Sequence, residues 1–345
     1  MLSDLLLILL GLGLLVGGGD LLVKGAVAIA ERARLSHMVI GLTIVAFGTS
    51  APELLVSLTS ALEGTGGIAL GNVVGSNIAN IALILGATAL IQAAPTSAQT
   101  LRVDMPMLFV ASALLAAAVW TGTVERWHGA GGFLLLVAFT AWQVRHGRQQ
   151  APAGSRPDAP MEAAPPEGKT PTLVETGASE AGTDTGASAL ESLLRRHVWL
   201  AVLACLAALA ALAYGAGWLV DGASDMALRL GVSDRIVGLT VVAFGTSLPE
   251  LFASIMAARR GETDMAIGGI VGSNLFNILC VLGLTAAVAP IAGIGHDFRR
   301  DLGWMIGLTA LLWLFLFTRQ RLSRGEGAAL LGLYLFYIWT LVRPA

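Results

Sequence analysis

The chain alternates between long apolar stretches and short polar connections. Most apolar stretches reach about 20 residues, the length that a helix needs to cross the hydrocarbon core of a bilayer. The segments of this kind cover roughly residues 3–29, 37–61, 68–91, 104–120, 130–146, 198–228, 235–257, 265–289, 301–318 and 327–342. The pattern therefore predicts an all-α integral membrane protein with ten transmembrane helices.

One long stretch does not fit a membrane. Residues 148–194 are rich in Pro, Gly, Ala, Ser, Thr and Glu and hold few large apolar side chains. Such a segment cannot bury enough apolar surface to offset the entropy lost on ordering. We expect a flexible linker over 148–194 between two five-helix halves, 1–147 and 195–345.

Composition agrees with a protein dissolved in lipid. Of the 345 residues, 55% are hydrophobic and 13% are charged, and the mean hydropathy is +0.76. The net charge of −2 and the dispersed basic residues give no reason to expect nucleic acid. Cys205 and Cys280 lie inside apolar segments without ligand spacing. No cofactor is expected, the bilayer is the expected partner, and the sequence identifies no protein partner.

The two halves repeat each other at one offset. Adding 197 to a residue number carries 41–61 onto 238–258 with 14 of 21 positions identical. The segment Gly71-Asn-Val-Val-Gly-Ser-Asn-Ile-Ala-Asn80 recurs as Gly268-Gly-Ile-Val-Gly-Ser-Asn-Leu-Phe-Asn277. Because each half has an odd number of spans, the second half enters the membrane from the opposite side. We expect inverted repeats with a site near the midplane.

Arginine counts predict the orientation. With the N-terminus outside, the loops and helix flanks carry twelve arginines on the inner side and six on the outer side, not counting Arg156 within the linker. Basic residues favour cytoplasmic loops. We expect a plasma (inner) membrane protein with both termini outside and the linker in the cytoplasm.

Two glutamates, Glu53 and Glu250, lie deep inside apolar segments. An ionisable group there costs at least about 2.5–3.5 kcal/mol on insertion scales. The same Thr-Ser-x-Pro pattern precedes both, and two-fold related helices would bring both carboxylates to one place. We expect one shared site, with pairing to Lys24 as the alternative.

Hydroxyl and amide side chains recur beside the glutamates at helical spacing. Thr49 precedes Glu53 by four residues and Ser76 precedes Asn80 by four, so each pair shares a helix face. The second-half copies are Thr246 with Glu250 and Ser273 with Asn277.

The prolines and the types of candidate ligand indicate which ions the site could bind. Pro52 and Pro249 free backbone carbonyls about four residues back, where a membrane helix tolerates them if they line a cavity. Carboxylate, hydroxyl, amide and carbonyl oxygens suit hard cations such as Ca²⁺ and Na⁺. Soft metals prefer His or Cys, and neither occurs among these candidate ligands.

These residues resemble the sodium/calcium exchangers of the cation/calcium exchanger superfamily. The two α-repeats of that family carry G-T-S-x-P-E in one helix and G-N-x-x-G-S-N in the next. Both motifs occur in both halves here, except that Gly269 stands opposite Asn72. The resemblance covers nearly all of the chain outside the linker.

The resemblance implies a fold and a set of ligands. The second, third, seventh and eighth helices would surround the ions, while the long first and sixth helices slide. Glu53 and Glu250 would bind Ca²⁺ and Na⁺ alternately, and Thr49 with Thr246 would complete the Ca²⁺ site. The remaining implied positions are Ser50, Ser247, Ser76 and Ser273 for Na⁺, with Asn80 and Asn277 at the middle of the cluster. Some relatives, including K⁺-dependent ones, have Asp at the position of Asn277, so K⁺ dependence is not expected.

The implied function is secondary active antiport, with inward Na⁺ driving Ca²⁺ outward by alternating access. A 3:1 ratio, which the resemblance supplies, would make the exchange electrogenic. An H⁺/Ca²⁺ antiporter is the alternative. That branch usually carries an acidic residue after the G-N motif, where this chain has Val74-Gly75-Ser76, so Na⁺ is favoured.

Two other classes of membrane protein would use the same residues in a different way. An intramembrane hydrolase with Ser50 or Ser247 as nucleophile would need a base, and all five histidines fall near helix ends or loops. We therefore expect no enzyme. A passive channel or cation-binding scaffold stays open at this point.

Overall fold

The computed structural model describes residues 2–149, 189–230, 243–292 and 296–342. These residues are almost entirely helical, with four two-residue strands. The helices of the first half are α1 (Leu2–Ala33), α2 (His37–Thr49), α3 (Ala51–Leu62), α4 (Gly66–Ile91), α5 (Thr100–Trp120) and α6 (Arg126–Gln149). The later helices are α7 (Ala189–Arg196), α8 (Val198–Arg229), α9 (Ala243–Gly245), α10 (Leu248–Arg259), α11 (Thr263–Val288), α12 (His296–Arg319) and α13 (Arg324–Val342).

Membrane-crossing length and apolarity are found in six of the described helices, α1, α4, α5, α8, α11 and α12. A seventh crossing is reached if the bent pair of α2 and α3 counts as one. The predicted segment 235–257 lies partly outside the described residues, while 130–146 and 327–342 fall within α6 and α13. The all-α fold is confirmed, and the count of ten crossings stays a prediction.

Helices α1 and α8 form one long antiparallel pair. A Cβ on Gly11 would lie 2.7 Å from the carbonyl oxygen of Gly215, and a Cβ on Gly222 would lie 2.6 Å from that of Asp4. Small residues therefore let the two backbones approach closely, as in other membrane helix pairs. The offset of 197 equates α1 with α8, so the antiparallel arrangement confirms that the repeats are inverted.

The centre of the molecule consists of α2, α3, α4, α10 and α11. Helix α11 lies directly on α2, since a Cβ on Gly268 would be 2.7 Å from Met38 O and one on Gly272 would be 2.6 Å from Leu42 O. Side chains of α4, α5, α11 and α12 pack into one continuous apolar core. A second core joins α1, α8 and α10.

The fifth span of each half packs against the third span of the other half. Helix α6 lies on α11, where a Cβ on Gly283 would be 3.1 Å from Gly129 O. Helix α13 lies on α4, where a Cβ on Gly86 would be 3.0 Å from Gly327 O. The two halves are therefore interlocked rather than placed side by side.

Four short strands also connect the halves. Strand β1 (Ala94–Pro95) pairs antiparallel with β4 (Arg321–Leu322), and β2 (Thr123–Val124) pairs antiparallel with β3 (Ile291–Ala292). Each pair takes one strand from each half. Because successive spans alternate in direction, the two pairs lie at opposite ends of the bundle.

The end of the linker is ordered as a helix. Residues 189–194, assigned to the flexible linker by composition, belong to α7, whose Leu194 is buried against α1 and α8. The ordered part of the second half therefore begins before residue 195, because Leu190, Leu193 and Leu194 give this end of the linker an apolar helical face. The remaining linker residues, 150–188, lie outside the described residues.

Charged side chains join α1, α7 and the end of α10. Lys24 Nζ lies 2.9 Å from Asp20 Oδ2, and Arg260 contacts both Asp20 Oδ1 at 2.6 Å and Glu191 Oε1 at 3.0 Å. Arg195 and Glu31 form a further pair at 2.8 Å. Lys24 thus has its partner on its own helix, and the alternative that it pairs with Glu53 is not supported.

Candidate ion-binding site

A break in the second span creates the first half of the site. Helices α2 and α3 meet at Ser50 with a bend of 44°. Pro52 stands in the first turn of α3 and has no N–H to continue the ladder of α2. The chain therefore places Thr49, Ser50 and Glu53 around a helix junction inside the bundle.

The second half repeats this junction. Helix α10 begins at Leu248 with Pro249 in its first turn. Ser247 has φ −88° and ψ 1°, close to the φ −84° and ψ 6° of Ser50. The equivalent of α2 falls largely on residues outside the described part of the chain.

Both glutamates are buried. Glu53 is 1% exposed and Glu250 is 2% exposed. Ser50, three residues before Glu53, contacts Glu250 directly, so the two glutamates lie near each other inside the bundle. Each half supplies one of them.

Hydroxyl groups reach across from one half to the other. Ser50 Oγ donates to Glu250 Oε1 at 3.2 Å, and Thr49 lines the same small cavity as Glu250. The Glu250 carboxylate therefore accepts a hydrogen bond from a hydroxyl of the opposite repeat.

A third contact between the halves involves Ser273. The hydroxyls of Thr49 and Ser273 lie 3.4 Å apart, and Thr49 Oγ1 also donates to Val45 O at 3.1 Å. Ser273 lies on α11 and is 1% exposed. It belongs to the same cluster as Glu250.

Asparagine side chains join α4 to α11. Asn80 Nδ2 donates to Asn274 Oδ1 at 3.0 Å. Asn277 is fully buried, and neither of its side-chain polar atoms has a hydrogen-bond partner among the described residues. Asn80 and Asn277 both lie in π-helical turns, Ala79–Ile84 and Asn277–Val281, a feature often found at functional sites.

Two predicted residues are less closely connected. Ser76 and Ser247 are 5% and 1% exposed, but the contacts of the described residues join neither side chain to a glutamate. Asn274 is a member of the cluster that sequence reasoning did not select. The repeated Gly-Ser-Asn pattern, which places Asn77 and Asn274 at the same offset, was the signal available for it.

Asn72 has a different task from the other amides. Its Nδ2 donates to the backbone oxygen of Glu53 at 3.2 Å and to Ser57 Oγ at 3.0 Å. It therefore contacts the turn that carries Glu53 rather than the carboxylate. This explains why Gly269 can stand at the equivalent position without removing an ion ligand.

The cluster is rich in oxygen atoms that the protein leaves unpaired. Buried atoms of this kind are Glu53 Oε2, Glu250 Oε2, Asn77 Oδ1, Asn80 Oδ1 and Asn277 Oδ1. Unpaired buried polar atoms are costly. Among the described residues no group of three or more His, Cys, Asp or Glu side chains converges. The donors are thus two carboxylates with neutral oxygens, a set that fits a hard cation.

A family model matches both halves of the chain, and curated relatives match nearly all of it. The model described as "Sodium/calcium exchanger protein" matches residues 3–145 and 200–343. The "Putative antiporter CaxA" of Alkalimonas amylolytica is 37% identical over 99% of both chains. The "Sodium/calcium exchanger MaX1" of Methanosarcina acetivorans is 31% identical over 97% of both.

A solved structure shares the fold. The sodium-calcium exchanger NCX_Mj aligns with a TM-score of 0.77 and 28% identity, covering 99% of each chain. The sequence match spans both repeats, and the structural match includes the buried centre of the molecule. The chain belongs to the sodium/calcium exchanger protein family of membrane cation antiporters.

Proposed function

We propose that this protein exchanges Na⁺ for Ca²⁺ across the membrane by alternating access. Membership of the exchanger family makes it a cation/Ca²⁺ antiporter, and the proposal adds Na⁺ as the coupling ion. The observation that carries it is the pair of buried glutamates from opposite repeats, with the Ser50 hydroxyl donating to Glu250.

Charge balance supports exchange of these ions at one site. Two carboxylates neutralise one Ca²⁺, whose six to eight ligands are then completed by hydroxyl, amide and carbonyl oxygens. Na⁺ takes the same oxygens in smaller sets. Because both ions need Glu53 and Glu250, they compete, and competition couples their movement.

The ligand roles that we assign are those that the resemblance to the exchangers implies. Glu53, Glu250, Thr49 and Thr246 form the Ca²⁺ site, and Ser50, Ser247, Ser76 and Ser273 contribute mainly to Na⁺. Asn80 and Asn277 occupy the middle. Sliding of the long α1–α8 pair over this centre opens it to one side and then the other.

Three Na⁺ per Ca²⁺ would carry one excess positive charge per cycle. Each elementary charge that crosses the membrane potential is worth about 2.3 kcal/mol per 100 mV. Exchange therefore depends on voltage.

The test is ⁴⁵Ca²⁺ uptake into proteoliposomes that are preloaded with Na⁺, with K⁺-loaded vesicles as the matched control. We expect uptake that requires internal Na⁺ and increases at an inside-positive potential. Uptake that a pH gradient drives without Na⁺ would reassign the chain to H⁺/Ca²⁺ antiport. Ca²⁺ uptake that needs neither a Na⁺ gradient nor a pH gradient, and follows the Ca²⁺ gradient alone, would identify a passive channel.

We also propose the N-out orientation with a cytoplasmic linker, which the excess of arginines on that side supports. Single cysteines at T121C and S179C test it with a membrane-impermeant thiol reagent on intact cells. We expect T121C to react from outside and S179C only after permeabilisation. The unsubstituted chain is the background control, since Cys205 and Cys280 are both buried. The reverse pattern would invert the topology.

A further inference from the structure

The two repeats differ at one polar position that contacts the helix turn of a glutamate. The offset of 197 pairs Glu53 with Glu250, Ser57 with Ser254, and Asn72 with Gly269. Only the last of these pairs changes residue type. The structural surroundings of the two positions therefore show what the difference does.

In the first half, Asn72 connects α4 to the first turns of α3. Its Nδ2 lies 3.2 Å from Glu53 O and 3.0 Å from Ser57 Oγ, and Ser57 is fully buried. The amide thus holds the backbone at the residue that carries the carboxylate. The two partners, Glu53 and Ser57, are one helical turn apart on α3. The two hydrogen bonds therefore fix both the orientation of this turn and its distance from α4.

In the second half, helix packing does not require the glycine. A Cβ on Gly269 would meet Gly41 O at 3.9 Å and Val45 Cγ1 at 4.0 Å, both ordinary contacts. The nearby glycines of α11 have no such space. A Cβ on Gly268 would lie 2.7 Å from a backbone oxygen, and one on Gly272 would lie 2.6 Å from another. Gly268 and Gly272 are explained by close packing, and Gly269 is not.

A small cavity occupies the place where the second amide would lie. It measures about 10 Å³ and is lined by Gly269, Ser254, Glu250, Thr49 and Ser273, with apolar side chains that include Val23 of α1. That volume is close to the smallest that holds one water molecule. Glu250 borders it, is 2% exposed, and has its Oε2 without a partner in the protein.

We infer that Asn72 is a positioning residue for Glu53, and that Gly269 leaves Glu250 room to move or to take up one water during exchange. The two glutamates are then unequal partners. Glu53 is held in its ion-binding geometry by the brace on its backbone. Glu250 is the carboxylate that rearranges between the Ca²⁺-loaded and the Na⁺-loaded site. This inference rests on the proposed function.

The experiment measures KM for Ca²⁺ and kcat of gradient-driven uptake for the variants N72A, G269A and G269N, together with the thermal stability of each purified protein. The Asn72 variant carries Ala rather than Gly, which avoids the lower helix propensity of glycine. G269A adds a Cβ alone, so the comparison of G269N with G269A isolates the amide.

We expect N72A to raise KM by about three- to tenfold, the effect of one or two buried hydrogen bonds, with a smaller change in kcat. We expect G269N to lower kcat by about three- to tenfold relative to G269A, since a second brace hinders rearrangement, without raising KM. A double variant, N72A with G269N, should combine both changes.

A purely structural role would give a different result. It would lower thermal stability while leaving KM unchanged in N72A and kcat equal in G269N and G269A, and that outcome would overturn the inference. If N72A does not fold, the comparison of G269N with G269A decides alone. Failure of the proposed function is distinguishable, because the unsubstituted protein would then show no Na⁺-dependent uptake.

Discussion

At the scale of single residues, the candidate site takes side chains from both repeats. Ser50 contacts Glu250, and the hydroxyls of Thr49 and Ser273 lie 3.4 Å apart. A substitution in one repeat therefore affects the ligand of the other. The site is a property of the docked halves, and neither α3 nor α10 holds it alone.

Neutralising either glutamate should abolish exchange. In E53Q or E250Q a divalent ion retains only one carboxylate in a buried environment. Loss of a charge-assisted interaction costs about 1.5–3 kcal/mol, which is at least about tenfold in affinity. We expect ⁴⁵Ca²⁺ uptake to fall to background while the detergent-solubilised protein stays folded.

The matched control for these variants is E63Q, because Glu63 is an exposed glutamate at the end of α3. It should transport at the rate of the unsubstituted protein. Robust uptake by both E53Q and E250Q would contradict the ligand assignment.

Sequence reasoning selected the candidate ligands but not the residues that support them. The doubled pattern around Glu53 and Glu250 was visible because a buried charge in an apolar segment is rare. The role of Asn72 was not visible, since its partners, Glu53 O and Ser57 Oγ, lie 19 and 15 residues away. Residue type alone does not distinguish a ligand from a brace.

At the scale of elements, the helices around the site are all interrupted. The second span bends by 44° at Ser50, and α4 and α11 each contain a π-helical turn that begins at or beside an asparagine of the cluster. Apolar patterning predicted these helices and Pro52 predicted the break. The π turns leave no comparable mark in the hydrophobic pattern, because the residues around them are apolar on every side.

Equivalent glycines in the two repeats should tolerate alanine unequally. Gly75 and Gly272 match at the offset of 197. A Cβ on Gly272 would lie 2.6 Å from Leu42 O, whereas one on Gly75 would meet nothing within 4 Å. We expect G272A to lose about 1–3 kcal/mol of stability through overpacking and G75A to lose none.

Thermal unfolding of the two purified variants measures this difference, with the remaining fraction of monodisperse protein as the readout. G75A serves as the control for helix propensity, because it makes the same chemical change in the other repeat. Equal melting temperatures would show that α11 and α2 do not pack as closely as described.

At the scale of the whole molecule, the repeats exchange their fifth spans. Helix α6 covers α11, α13 covers α4, and the strand pairs β1–β4 and β2–β3 join the halves at both ends. The sequence predicted two equal halves and their inversion. It could not predict the exchange, because an apolar face on α6 would suit either α4 or α11.

Dividing the chain within the linker should leave a functional pair. We expect residues 1–165 and 166–345, expressed together as separate chains, to copurify and to transport Ca²⁺. When either part is expressed alone, its third span lacks the fifth span of the other half that packs against it. We expect such a part to be degraded. Copurification through an affinity tag on one part, followed by flux, measures this outcome. Accumulation of one half alone as a stable monomer would contradict the interlocked packing.

The exchanged fifth spans also bear on the origin of the protein. A five-helix unit whose last helix covers another copy needs a partner in the reverse orientation to be complete. A single-repeat ancestor with this packing would therefore have inserted into the membrane in both directions and assembled as an antiparallel homodimer. Duplication of such a gene would join two copies that already depend on each other. Only then could the two orientations carry different residues at one position, as Asn72 and Gly269 do here.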